Sequence, residues 1–161
     1  MIYVILLFFI IILDHVTKIY VAGQGPSLHV TVIDKVLNIV YKQNTGAAFS
    51  SGANTTWAQP LFITLTVIIL PVLFVVFLKL GNNRKWLKTA IIFVIGGTIG
   101  NFIERIVFGA VTDFIDMHFY VCNIADVALT VGAVMLVIWF LFLDKEALIP
   151  IKKISGKKKN G

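Results

Sequence analysis

AQPLFITLTVIILPVLFVVFLK, residues 58–79, carries no charge before its final Lys79. A bilayer's hydrocarbon core is about 30 Å thick and takes about 20 helical residues to cross, so this run can span it. Pro60 suits the first turn of such a helix. Pro71, inside it, is expected to kink it. Outward from this run lie three more stretches of similar character, near 2–22, 89–108 and 125–143. The first is interrupted by Asp14 and Lys18 and has no basic leader, so it reads as an uncleaved span rather than a signal peptide. The fold expected is an α-helical polytopic membrane protein with four transmembrane helices. With 58% apolar residues and a mean hydropathy of +0.93, the chain lies well outside the range of soluble domains. Its polar segments are too short for a second core, so 1–161 is expected to be one membrane-embedded domain.

The net charge of +6 is concentrated rather than spread. Lys79, Arg84, Lys85 and Lys88 lie around the second connection, and Lys145, Lys152, Lys153, Lys157, Lys158 and Lys159 follow the fourth span. Clusters beside apolar spans set membrane orientation, which argues against a nucleic-acid partner. The rule puts both termini in the cytoplasm, and the 150–161 tail should be attracted to anionic membrane lipids. On the outer side, 23–57 contains LHVTVIDKVLNIVYKQN, rich in β-branched residues and broken at Asp34-Lys35. It predicts a twisted hairpin at the interface, a small extracytoplasmic β-cradle. A lone cysteine, Cys122, allows no internal disulfide, and no histidine motif supports it as a nucleophile.

Five of the eight acids fall at one depth: Asp14, Glu104, Asp113, Asp116 and Asp126. At about 1.5 Å rise per residue, Asp14 lies roughly 18 Å along the first span. Asn101 and Glu104 reach a similar height on the third, and Asp126 sits in the first turn of the fourth. Asp14, Thr17 and Lys18 share one helix face by i, i+3, i+4 spacing, as do Gly97, Asn101, Glu104 and Arg105. Lys18 and Arg105 are expected partly to neutralise Asp14 and Glu104, because charges in a span turn inward and pair. Gly96, Gly97 and Gly100 permit close helix approach. Asp113 and Asp126 have no basic residue near them in sequence, since none occurs between Arg105 and Lys145.

Paired carboxylates cannot both ionise cheaply, so they share a proton. One then takes a proton from water while the other polarises a scissile carbonyl, which is the chemistry of an aspartic protease. No HExxH or Cys/His ligand set is present, so no metal and no cofactor is expected. Spacing alone does not choose between Asp113 and Asp116. A proton-coupled transporter is the alternative that membrane acids suggest. It would favour an inverted repeat and midplane acids, and neither is seen. An inert assembly subunit gives no reason for Asp113 and Asp126 at an interface.

LDHVTK (13–18), NTGAAFS (44–50), GGTIGNFIER (96–105), VTDFID (111–116) and CNIAD (122–126) together resemble the bacterial lipoprotein signal peptidases, or signal peptidase II. The resemblance covers nearly the whole chain, with the five motifs in the family's order. It implies a four-helix membrane aspartic endopeptidase with an outer β-cradle and an outer helical loop. The substrates implied are diacylglyceryl-modified prolipoproteins, cut just before the lipidated cysteine. It implies Asp113 and Asp126 as the catalytic pair, in preference to Asp116. It marks Asp14 and Lys18 as polar supports, Asn44 and Gly46 as facing substrate, Asn101 and Arg105 as ordering the site, and Asn123 as the neighbour of the pair. The implied location is the bacterial inner membrane, with the site near the outer face. One copy of the chain supplies every residue invoked. Four positions depart from the family's habit: His15 for Gln, Glu104 for Asp, Thr112 for an apolar residue and Cys122 for an aromatic. The stretch between the last two motifs is also short.

Overall fold

The computed structural model describes residues 1–46 and 58–143. Residues 47–57, which hold the end of the NTGAAFS motif, and the basic tail lie outside them. Four helices form: α1 Ile2–Gln24, α2 Ala58–Lys79, α3 Lys85–Phe108 and α4 Ile124–Ile138, the last continued by a π-helical turn, Trp139–Leu143. Each is long and apolar enough to cross a membrane, α4 when the π turn is counted with it. The helix α2 continues through Pro71. The helix α3 begins four residues before the expected boundary because its basic first turn is accommodated. Lys88 is buried, its Nζ 5.3 Å from the Phe77 ring centroid and 6.0 Å from that of Tyr3, while Arg84 lies over Trp139. Such side chains rest their aliphatic stems on apolar surface and carry the charge outward.

Helix α3 is central. It packs on α1, α2 and α4, and its buried face runs Ala90, Ile91, Ile95, Gly97, Gly100, Asn101, Glu104. A Cβ at Gly100 would come within 2.7 Å of Asp14 Oδ2 and 3.2 Å of the Ala125 Cβ. The absence of a side chain there is therefore what lets α1 and α4 meet α3 at the depth of the acids. Most of the remaining helix surface is exposed aliphatic and aromatic side chain, as lipid-facing helices require.

At one end of the bundle lies a four-stranded antiparallel sheet in the order β1-β2-β3-β4, formed by His29–Ile33, Leu37–Asn44, Val111–Asp116 and Val121–Cys122. The expected hairpin is β1–β2, turning at Asp34-Lys35, with Lys35 left-handed at φ 58°. The two further strands correct the expectation drawn from the resemblance. Among the described residues, 109–123 holds no helical loop. Only four residues separate β3 from β4, too few for a helix. Met117 N–H bonds to the Tyr120 carbonyl at 3.0 Å and closes a tight turn instead. In the central strand β3, Asp113 pairs in register with Lys42 of β2. Gly109, left-handed at φ 66°, ends α3 and turns the chain into β3.

Candidate active site

A chain of polar contacts runs through the middle of the bundle and ends on two carboxylates. It starts at Lys18, which is 2% exposed. Its ammonium donates to Asn101 Oδ1 at 2.9 Å and forms ion pairs with Asp14 Oδ2 at 2.8 Å and Glu104 Oε2 at 3.2 Å. Asp14, fully buried, uses its other oxygen to accept the Ala125 N–H at 2.8 Å, one of the free donors of α4's first turn. The i, i+4 pair on α1 thus ties together α1, α3 and the start of α4.

Lys18 also fixes an orientation. An ammonium only donates, so the oxygen of Asn101 must face it, and the Asn101 amide nitrogen faces Asp126, donating to Oδ1 at 2.7 Å. The same logic repeats twice. Asn123 caps α4, its Oδ1 accepting the Asp126 N–H at 2.9 Å. Its nitrogen therefore points the other way, to Asp113 Oδ1 at 2.7 Å and Asn101 Oδ1 at 3.1 Å. Asn44 Oδ1 accepts the Gly46 N–H at 2.8 Å, which turns its nitrogen to Asp113 Oδ2 at 2.9 Å. Three amides, each locked by a backbone or ammonium donor, present N–H groups to the two carboxylates. Gly46 makes this turn at φ 85°, and a Cβ there would stand 2.9 Å from that of Ala58.

Asp113 and Asp126 line one cavity of about 420 Å³ between α2, α3, α4 and the sheet, together with Arg105 and Tyr120. A second, of about 300 Å³, opens on the other side of Asp113 toward Lys42 and the β3–β4 turn. Burial pushes the Asp113 carboxyl up from its ordinary 3.8 to about 6. The charge of Asp126 adds to the rise, while the amides of Asn44 and Asn123 and the Lys18 charge oppose it. Burial, and then the two carboxylates, hold the Cys122 thiol up at about 11, which keeps it from acting as a nucleophile near neutral pH. Asp116 is turned to the hairpin instead. It accepts the His118 N–H at 2.8 Å and lies 3.5 Å from Asn38 Nδ2.

One expectation needs correction. Glu104 and Arg105 do not form a pair facing one way. Successive helix residues point about 100° apart. Glu104 turns to Lys18, which lies 2.8 Å from Asp14 and 3.2 Å from Glu104, while Arg105 turns to the cavity. Its guanidinium carbon lies 4.8 Å from the Phe62 ring centroid, and its buried Nε has no hydrogen-bond partner among the described residues. The two unusual residues Glu104 and Thr112 prove to be partners. Glu104 Oε2 accepts the Thr112 N–H at 2.8 Å and Oε1 the Thr112 hydroxyl at 3.0 Å, clamping β3 one residue before Asp113. Sequence reasoning flagged Thr112 without finding this contact. It passed over Tyr120, Thr66 and Thr98 of the cavity wall, which carry no charge and sit in unremarkable runs.

Four spanning helices with two amide-braced carboxylates at the sheet end define a multi-pass membrane protein with two acids on one cavity wall. The family model for signal peptidase (SPase) II matches residues 6–142, and the chain belongs to that peptidase family. The lipoprotein signal peptidase of Pseudomonas putida is 38% identical over 150 residues, covering 88% of this chain and 87% of that protein. That of Tolumonas auensis is 39% identical over 137 residues, covering 81% and 84%. Two solved bacterial membrane enzyme structures, determined by the in meso method, superpose with TM-scores of 0.78 and 0.76. They are 33% and 31% identical, with 87% and 99% of this chain covered and 92% and 93% of theirs.

Proposed function

We propose that this chain is an aspartic endopeptidase that removes the signal peptide from diacylglyceryl-modified prolipoproteins, cutting just before the lipidated cysteine. The observation that carries the reading is the pair Asp113 and Asp126 on one cavity wall, each held by amide N–H groups whose orientation is fixed from behind. In the working state the pair holds one proton. The ionised carboxylate takes a proton from water as the water oxygen attacks the scissile carbonyl carbon. The protonated one donates to the carbonyl oxygen as the C–O bond becomes single. Collapse of the tetrahedral intermediate breaks the C–N bond: the leaving amine takes up one proton from the pair, and a hydroxyl of the intermediate returns one to it as the C=O bond reforms. Asn44, Asn101 and Asn123 position the acids. Asp14 and Lys18 support Asn101 and the start of α4, and Gly46 shapes the turn that holds Asn44. Arg105, whose Nε has no acceptor among the described residues, faces the substrate.

The reading places the chain in the bacterial inner membrane as a monomer, with both termini cytoplasmic and the site near the outer face. Phe62, Leu65, Ile69 and Leu129 give the cavity an apolar wall suited to a lipid chain and a signal segment. The test is cleavage of a diacylglyceryl-modified precursor by purified protein in detergent, beside the unlipidated precursor and the Asp113→Asn and Asp126→Asn variants. Cleavage of the lipidated precursor alone, lost in both variants, is the result expected. Full activity in both variants, or a preference for the unlipidated precursor, would overturn the assignment.

A further inference from the structure

Proteases act on extended chain, and an extended chain in hydrocarbon carries N–H and C=O groups that need partners. On the reading above, the residues preceding the cut lie in the membrane-facing part of the 420 Å³ cavity, so that cavity must supply them. Its amides cannot supply many. Asn44 and Asn101 are committed to Asp113, Asp126, Gly46, Lys18 and Asn123. Two hydroxyls remain deeper in the same wall, Thr66 on α2 and Thr98 on α3.

These two differ from the threonines that serve their own helices. Thr17, Thr89 and Thr130 each donate to the carbonyl four residues back, at 2.8, 3.0 and 2.8 Å. Such back-bonding is the usual way a helical hydroxyl is satisfied in an apolar setting. The hydroxyls of Thr66 and Thr98 make no side-chain hydrogen bond among the described residues, although both are half-buried. Their depths bracket a short segment. Phe62 and Arg105 mark one level by their contact. Thr66 lies one turn beyond Phe62 and Thr98 two turns beyond Arg105, about 6 and 10 Å further from the sheet. An extended peptide rises about 3.3 Å per residue, so the two hydroxyls fall roughly one residue apart along it.

We infer that Thr66 and Thr98 form a binding subsite for the peptide backbone of the substrate just before the scissile bond, holding two or three residues unwound by hydrogen bonds to main-chain groups. A hydroxyl donates one bond and accepts two, so it serves an N–H or a C=O without regard to side chain. The subsite therefore recognises an unwound backbone, and this inference rests on the proposed peptidase activity.

The test uses Thr66→Val and Thr98→Val, which remove the hydroxyl and keep the shape. Thr66→Ser and Thr98→Ser restore the hydroxyl, and Thr64→Val is a control at an exposed position outside the cavity. Cleavage of a diacylglyceryl lipopeptide gives KM and kcat. A lipopeptide N-methylated at the scissile bond gives Kd without turnover. Each valine variant is expected to raise KM and Kd about 3- to 10-fold, as loss of one hydrogen bond implies. Its pH profile should match that of the unmodified protein, the serine variants should recover, and Thr64→Val should have no effect. A further N-methyl group on the second amide before the cut should weaken binding to the unmodified protein but not to the double valine variant. Unchanged KM and Kd in both valine variants would overturn the subsite. Threonine-dependent binding with no cleavage would overturn the peptidase reading and leave the subsite standing. Neither binding nor cleavage would overturn both.

Discussion

Replacing Lys18 by Met tests whether the polar chain behind the carboxylates works as described. Methionine has nearly the same length and no charge. The change leaves Asp14, 0% exposed, and Glu104, 6% exposed, without the ammonium that lies 2.8 and 3.2 Å from them. Removing one member of a buried ion pair costs about 3–5 kcal/mol, because the other member keeps its desolvation penalty. At about 2–4 °C per kcal/mol for a chain of this size, thermal unfolding in detergent should fall by roughly 10 °C. Adding Glu104→Gln removes one uncompensated charge and should recover part of that loss. Activity should fall for a separate reason. Without Lys18 only the longer Asn123 N–H bond, at 3.1 Å, keeps the Asn101 oxygen turned from Asp126, and a turned amide sets oxygen against carboxylate. Loss of one charge-assisted hydrogen bond of about 1.5–3 kcal/mol corresponds to about 10- to 100-fold in kcat. Intrinsic fluorescence on heating and the lipopeptide assay measure the two effects separately. A Lys18→Met protein with Tm and kcat both unchanged would refute the reasoning, since among the described residues the other basic nitrogen near Asp14 is His15 Nδ1, 3.8 Å away and already bonded to the Ile11 carbonyl.

The pH dependence follows from Asp113, held at about 6 mainly by burial. As pH rises through that value the pair loses its shared proton and has no acid to offer the carbonyl, so kcat/KM should decline above about pH 6. Asn44→Ala removes a hydrogen bond that lowers this value and should move the decline to higher pH. Because the folded-state value is raised above the ordinary 3.8, the folded protein retains a proton that the unfolded chain releases. This carboxyl therefore makes stability fall as pH rises between about 4 and 6, and Asp113→Asn should flatten that slope in a pH series of Tm values. Gly97→Ala drives a Cβ into the carbonyl oxygen of Ala125, a backbone atom that cannot swing aside. It should destabilise the α3–α4 contact by about 1–3 kcal/mol, whereas Gly23→Ala, which meets nothing within 4 Å, should be neutral or slightly stabilising. Thr112→Val and Glu104→Asp should each lower kcat without raising KM, and the double variant should be no worse than the poorer single one, because both break the same clamp.

The helices were legible because hydrocarbon imposes one rule on every spanning segment, and 58–79 obeys it without exception. The first hairpin was legible from its β-branched run and its Asp34-Lys35 break. Strand β3 was not. Val111, Thr112, Asp113 and Phe114 are all buried, so VTDFID shows no alternation of apolar and polar positions, and its partner Asn38–Asn44 lies some seventy residues earlier. Helical spacing placed Asp14 with Lys18 and Asn101 with Glu104, but spacing within a helix says nothing about which neighbour a side chain meets. That is why Lys18 as the shared partner of Asp14 and Glu104, and Arg105 as a residue of the cavity wall, emerged only from the packed bundle. The same limit explains Glu104 and Thr112. Read singly, each is a departure from the pattern around it. In the fold, the longer acid reaches a hydroxyl that an apolar residue would not offer, and its two oxygens take both the N–H and the O–H of one residue. A buried carboxylate needs its lone pairs satisfied, so Glu104 and Thr112 satisfy each other at the step before Asp113.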